Sequence, residues 1–142
     1  MCIRDRLNIV KKNNNKDRQN ISIFELGPVF TGICPGEQKD RLTIIRSGKA
    51  IDKNWTTDNR NYDVFDIKSD LVSLLRLLKI PLDKIKIKNE NNNFFHPGKS
   101  CSVYFSELKI ASFGEIHPNV SKSFKIKNTV IILELYLSLI HI

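Results

Sequence analysis

Cysteine is scarce and unpatterned in this chain: Cys2, Cys34 and Cys101 are an odd number with no CxxC spacing. That argues against a disulfide framework or a zinc ribbon and fits a reducing compartment. No apolar run approaches the length that spans a bilayer, and the N-terminus lacks the apolar stretch of a signal peptide. A cytoplasmic location with no membrane partner is therefore expected. No Walker loop, GxGxxG or GxSxG occurs, so three common nucleotide and hydrolase mechanisms lack sequence support.

What is present is ordinary for a globular protein: 142 residues, 41% hydrophobic and 27% charged, enough for one domain with a real core. The formal net charge is +8, which makes a polyanion such as RNA a reasonable partner. Lysine, asparagine and isoleucine share A/T-rich codons, however. Clusters such as Lys11-Lys12-Asn13-Asn14-Asn15-Lys16 and Lys86-Ile87-Lys88-Asn89 therefore read as solvated surface ahead of a dedicated RNA groove.

The two ends share a peculiarity. Met1-Cys2-Ile3-Arg4-Asp5-Arg6 can be encoded by ATG TGT ATA AGA GAC AG plus one base. The reverse complement, CTG TCT CTT ATA CAC AT, reads Leu137-Ser138-Leu139-Ile140-His141 and runs into Ile142. Both ends match one transposon-derived tag used for sequencing libraries. Residues 1–6 and 137–142 are accordingly expected to be sequencing-adapter artefact, and residues 7–136 the module proper. Met1 is then not a biological start, and Cys2 and His141 leave the set of candidate functional residues.

Between the ends the pattern alternates strands and helices. Leu7 to Lys12 reads as the end of a helix. Ile21 to Leu26 reads as a strand stopped by Gly27-Pro28, with Val29-Phe30 a possible continuation. Residues 31–39 carry Gly32, Pro35 and Gly36 and read as a loop, and Arg41 to Arg46 as a second strand. The strongest helix signal is Phe65 to Lys79. There Ile67, Leu71, Leu74, Leu75 and Leu78 recur at helical spacing, Asp63 or Asp66 can cap the start, and Pro81 prevents continuation. Lys84 to Lys88 alternates like a half-buried strand. Ser102–Phe105 and Lys109–Phe113 read as paired strands around Ser106-Glu107. Pro118 suits the first turn of a short helix through Phe124, and Val130 to Leu135 is a last strand. The fold expected is α+β, built on an antiparallel sheet.

Two constellations could carry chemistry. A functional reading would join His96 and His117, each before a proline, with Cys34 and Cys101 as a zinc site or a Cys-His nucleophile, but the ligand spacing is absent. The better reading is that each imidazole hydrogen-bonds nearby backbone and fixes a turn or strand end. Glu25 and Glu115, each beside a glycine in an apolar strand, could be a general acid and base. Acceptance of loop hydrogen bonds, or pairing with a lysine or arginine, is the preferred reading. No catalytic, cofactor-binding or metal residue is assigned.

Five blocks carry a family resemblance. Ile23-Phe24-Glu25-Leu26-Gly27-Pro28-Val29-Phe30 resembles the "FEIG-x-VF" strand of the phenylalanyl-tRNA synthetase β subunit family. Phe65-Asp66-Ile67-Lys68-Ser69-Asp70-Leu71, with Leu74-Leu75, resembles its "FDLKGD-x-x-x-LL" helix. Phe95-His96-Pro97-Gly98-Lys99-Ser100 resembles "FHPGRSA", and the stretch from Ile110 to Val120 resembles "IGWFGELHPEV". Val130 to Leu135 is similar to "VYVFELD". The blocks follow family order and span nearly all of residues 21–136. Ser69 departs from a usual glycine, and Ser106-Glu107 from a frequent Gly-Gly, which suggests a different turn type.

The resemblance implies a partial class II aminoacyl-tRNA synthetase-like domain, an antiparallel sheet flanked by helices. It implies a partner α subunit in an (αβ)₂ assembly that uses ATP and magnesium to attach phenylalanine to tRNA, with tRNA met through the complete enzyme. No cofactor is expected on this piece. An active class II site needs an arginine on the motif 2 strand-loop and another in motif 3. Ile21 to Leu26, Thr31-Gly32-Ile33-Cys34 and Val130 to Leu135 contain none. A developing phosphate charge would lack a preorganised partner, so the piece is expected not to form an adenylate. The family's editing site, magnesium-associated region and ferredoxin-like domain lie outside these residues. Flanking DNA should encode the editing module upstream and the ferredoxin-like domain downstream, with an α-subunit gene adjacent. Alone, the piece should be marginal or aggregation-prone. The alternatives are a free-standing basic RNA-binding module, for which aromatics should sit on a basic face, and a small hydrolase using His96 or His117.

Overall fold

A computed structural model of the chain describes residues 3–16, 18–30, 32–50, 55–56, 60–90 and 92–140. Six strands form one antiparallel sheet: β1 (Ile21–Phe30), β2 (Gln38–Ser47), β3 (Ile85–Lys88), β4 (Phe95–Phe105), β5 (Leu108–Ile116) and β6 (Val130–Tyr136). Their spatial order is β1-β2-β6-β5-β4-β3, so the last strand lies in the middle. Three helices accompany the sheet: α1 (Ile3–Asn14), α2 (Val64–Leu77) and α3 (Pro118–Ser123). The α+β architecture expected from the pattern is the one observed.

Helix α2 follows from local chemistry. The Asp63 carboxylate accepts hydrogen bonds from the Phe65 and Asp66 amides, and Asp66 accepts from the Asp63 amide, closing a capping box. Both candidate caps therefore act together. Ile67, Leu71 and Leu75 then form one buried stripe. The helix ends where Lys79 turns left-handed (φ 59°) and the Ile80 amide bonds back to the Leu75 carbonyl, just ahead of Pro81.

Helix α2 and α1 cover opposite faces. On the α2 face, Ile67, Leu71 and Leu75 pack on Val103, Ala111, Phe113, Ile131, Leu133 and Leu135. On the other, Leu7 and Val10 of α1 pack with Ile21, Ile45, Phe95, Ile116, Val130 and Ile132.

Several expectations need correction. Gly27-Pro28 does not stop β1: Pro28 pairs opposite Asp40 and the strand runs on to Phe30. β1 is an edge strand, where a missing N–H costs no ladder bond if it faces outward. Gln38 and Lys39, expected in a loop, belong to β2, which starts three residues before the expected Arg41. β4 starts at Phe95 rather than Ser102, and runs through His96-Pro97-Gly98. There it advances from Phe95 to Ser100 while β5 moves only from Ile116 to Gly114, so the His-Pro-Gly segment bulges. A Cβ on Gly114 would stand 2.7 Å from the Lys99 carbonyl oxygen, so the close approach needs glycine there. The turn at Ser106-Glu107 keeps positive φ at both residues (49° and 68°), the pattern of a primed hairpin turn, despite the lack of glycine. Lys86 and Lys88 are exposed, but so is Ile87, so β3 is less buried than its alternation suggested.

The end segments are partly described. Ile3 to Arg6 form the start of α1, Arg6 is buried, and residues 137–139 form a single 3₁₀ turn. Met1, Cys2, His141 and Ile142, like Thr31 in the loop after β1, lie outside the described residues.

Candidate functional site: the polar face of the sheet

Each strand contributes one polar residue to a row that the register brings into line. Glu25 pairs with Thr43, Thr43 with Glu134, Glu134 with Ser112, Ser112 with Ser102, and Ser102 with Lys88. Directly paired residues in an antiparallel sheet share a face. The result is one polar row across all six strands, on the face that carries α1. Thr43, Ser102, Ser112 and Glu134 are all buried. Burial of hydroxyls and carboxylates at this depth requires partners.

Those partners come from far along the chain. Arg6 of α1 donates to Glu134 at 2.8 Å and lies 3.6 Å from Glu25. Arg41 stands 3.7 Å from the other Glu134 oxygen and over the ring of Tyr136, whose hydroxyl is 3.3 Å from Ser112 Oγ. At the opposite end the backbone carbonyl of Glu90 accepts from Ser100 Oγ, and its carboxylate is held by the Tyr104 hydroxyl and by Lys109 Nζ at 3.2 Å. The Tyr104 hydrogen bond, with help from Ser102 and Lys109, lowers the Glu90 carboxyl to about pKa 2, and Glu90 in turn raises the Tyr104 hydroxyl. Two buried polar atoms on this face, Arg6 Nε and Thr43 Oγ1, lack a hydrogen-bond partner among the described residues. Both residues line a cavity of about 200 Å³ with Glu25 and Ile23.

A class II-like site would need a free cation here. The arginines on the sheet are already committed: Arg41 to Glu134, and Arg46, on the α2 face, to Asp70 through two hydrogen bonds of 2.6 and 2.9 Å. Both arginines on the described strands are therefore paired with carboxylates of the same chain. Among the described residues no three His, Cys, Asp or Glu side chains gather as a metal set.

The carboxylates singled out in the sequence are separated rather than paired. Glu25 lies near Arg6 on the polar face, and Glu115 pairs with Lys99 at 3.1 Å beside a groove of about 500 Å³ on the other face. Cys101 lines that same groove, while Cys34 is exposed in the loop between β1 and β2.

The two histidines do come together. Their rings lie 6.4 Å apart and 28° from parallel. Each Nδ1 accepts a backbone amide two residues on, His96 from Gly98 and His117 from Asn119, both at 3.1 Å. The proton of a neutral ring accepting at Nδ1 is on Nε2, so neither nitrogen offers a free lone pair to a metal or a proton-abstracting role. The turn-fixing reading is the one this geometry supports.

The polar row and the Glu90 contacts escaped the sequence reading. One polar residue interrupts each apolar strand, as in Leu42-Thr43-Ile44, Ala111-Ser112-Phe113 and Leu133-Glu134-Leu135. That is a usable signal, but alignment of the six depends on register.

Comparison with known proteins places this geometry among relatives. A family model described as the phenylalanyl tRNA synthetase beta chain CLM domain matches residues 2–137. The phenylalanine–tRNA ligase beta subunit of Ehrlichia canis (strain Jake) is 35% identical over 133 residues, which are 92% of this chain and 17% of that protein. The subunit of the same description from Rickettsia prowazekii (strain Madrid E) is 32% identical over 131 residues, 91% of this chain and 16% of that one. The chain thus spans about a sixth of the length of these relatives. Among solved structures, pyrrolysyl-tRNA synthetase from Desulfitobacterium hafniense superposes with a TM-score of 0.63 at 15% identity, covering 94% of this chain and 46% of that one.

Proposed function

Because the chain belongs to the phenylalanyl tRNA synthetase beta chain CLM domain family, we propose that it is a non-catalytic scaffold module of a phenylalanine–tRNA ligase β subunit. The ATP- and magnesium-dependent attachment of phenylalanine to tRNA is then the work of a partner α subunit in an (αβ)₂ assembly in the cytoplasm. The sheet is a class II synthetase-like sheet whose polar face has been closed from within. The observation that carries this reading is the commitment of Arg41, the strand arginine on that face, to Glu134; Arg46, on the opposite face, is likewise held by Asp70. An active face would hold such cations ready for the developing phosphate charge. An uncovered apolar strip on β1, with Phe24, Leu26 and Phe30 each more than 60% exposed, suits a surface that packs against another subunit. The same reading takes residues 1–6 and 137–142 as adapter sequence, and the DNA of the source locus tests that part. The Arg6 contacts then belong to this chain as it stands, and Arg41 and Tyr136 are the partners of Glu134 and Ser112 that the family module itself supplies.

Activity tests the rest. The assembled α and β subunits should catalyse phenylalanine-dependent pyrophosphate exchange, and β alone should give none. Exchange by β alone would overturn the scaffold reading. So would a loss of a hundredfold or more in kcat, without loss of assembly, when Ser102 or Ser112 on the polar face is replaced by alanine in the complete enzyme.

A further inference from the structure

The histidine pair does more than its local turns require. A side-chain acceptor bonded to the amide two residues on is the geometry that asparagine and aspartate supply in turns. At His117, which caps α3, asparagine is also the better helix-capping residue. Nothing in either turn calls for an imidazole. What only histidine adds is a second, distal nitrogen whose proton is fixed by the bond at Nδ1. Among the described residues neither Nε2 has a partner. The Phe94 carbonyl accepts the His117 amide at 2.9 Å, and Phe95 pairs with Ile116, so β4 and β5 hold the two imidazoles side by side.

The surroundings indicate what such donors would meet. From residue 91 to 100 and from 116 to 129 the only charged side chains are Lys99, Lys122, Lys125 and Lys127; no Asp or Glu occurs. Lys99 is taken by Glu115, but Lys122, Lys125 and Lys127 are exposed. Their loop is held in place: Ile126 is 5% exposed, and the Lys125 and Ile126 amides bond to the Lys122 and Ser121 carbonyls. Phe94, beside His117, is 48% exposed, an aromatic on a basic corner. Paired neutral donors, lysines that make no ion pair among the described residues and an exposed ring together fit a phosphodiester backbone with a stacked base. An acidic protein surface would use the lysines but not the ring.

We propose that this corner, formed by His96, His117, Phe94 and the Lys122–Lys127 loop, binds the phosphate backbone of the RNA substrate. The inference rests on the ligase reading for the identity of that RNA.

The test uses the assembled α and β subunits, with tRNA affinity measured against KCl concentration. His96→Asn with His117→Asn keeps both turn acceptors and removes both distal donors. It should weaken tRNA binding about tenfold with no change in the slope of log K against log salt, because no formal charge is lost. Lys122→Ala with Lys125→Ala and Lys127→Ala should flatten that slope by roughly one per lysine. Lys86→Ala, on the far edge strand, is the control and should bind tRNA like the parent. Affinity within twofold of the parent in both multiple variants would overturn the proposal. So would weaker binding accompanied by a lower melting temperature, which makes the histidines structural, or weaker binding of the α subunit with tRNA unaffected, which makes the corner a protein interface. Failure of the ligase reading shows elsewhere, as absence of phenylalanine-dependent exchange by the parent assembly.

Discussion

The two faces of this sheet are buried to similar depth by unlike means. Under α2, Phe113, Leu133 and Leu135 are at most 1% exposed and belong to one apolar cluster with Ile67, Leu71 and Leu75. On the α1 face the intervening residues of the same strands, Ser112 and Glu134, are 4% and 7% exposed. They are held by Arg6, Arg41 and Tyr136. Burial of apolar area is non-directional and tolerates imprecision. Buried charge is directional, and removal of one partner leaves the other stranded. One face can therefore be repacked by neighbours, while the other stands or falls with particular pairs.

That contrast can be broken at its apolar end first. Phe113→Ala should cost about 3–5 kcal/mol, through lost transfer energy and an unfilled cavity under α2. The measurement is the protection of the β5 and β6 amides in native-state hydrogen exchange. A cost below about 1 kcal/mol would mean that the α2 face is not a close-packed core. Glu134→Ala should follow at about 3 kcal/mol by the same measurement, because Arg6, with a side chain only 4% exposed, keeps just the 3.6 Å contact to Glu25. A near-neutral result would show that solvent reaches the polar row and that the two faces differ less than their geometry says.

The smallest effect is a pH dependence that separates the two ends of the fold. Arg60 grips Asp66 with two hydrogen bonds of 2.8 Å and, with the Asp63 amide, holds its carboxyl at about pKa 2, below the usual 3.8. Tyr104 does the same for Glu90, from 4.5 to about 2. Both carboxyls are depressed in the folded state. Their contribution is therefore complete above about pH 5 and is lost as the pH falls from about 4.5 towards 2. Melting temperature followed from pH 6 to 2 should drop in that window. Asp66→Asn should flatten the part that belongs to the α2 cap, and Glu90→Gln the part that belongs to the polar face. An unchanged profile in both variants would remove these carboxylates from the acid response.

The α2 face was the more legible of the two. Its helix is written in the spacing of Ile67, Leu71 and Leu75 and in Asp63, all local signals. Val130 to Leu135 was likewise recognisable as a strand from its apolar run, and observed β6 reaches one residue further, to Tyr136. The polar face depends on contacts that the local pattern does not show: Arg6 meets Glu134 across 128 residues, and Glu90 gains Lys109 only after β4 and β5 have paired. Gly27-Pro28 misled for a related reason. Whether proline ends a strand depends on whether that strand lies at an edge, and only the complete sheet order decides that. The histidines were read correctly as turn residues, because the effect of a following proline is local. Their nearness to each other was not legible, because it comes from the non-local pairing of Phe95 with Ile116 across β4 and β5.

The position of β6 has a consequence for how the chain acquires its shape. β1 and β2 can pair as soon as they are made, and β3, β4 and β5 can form a second meander on their own. The two pieces share no strand pairing, since β6 alone is bonded to both β2 and β5. Until residue 136 has been synthesised they are two half-sheets, each with a raw edge where β6 will go, and β6, buried from Val130 to Leu135, is the last of these six strands to be made. Ordering of this kind delays the longest-range contacts to the end and makes the closing step the slow one. During synthesis the nascent chain thus carries two unsatisfied inner edges, the interval in which it has most need of protection from other chains.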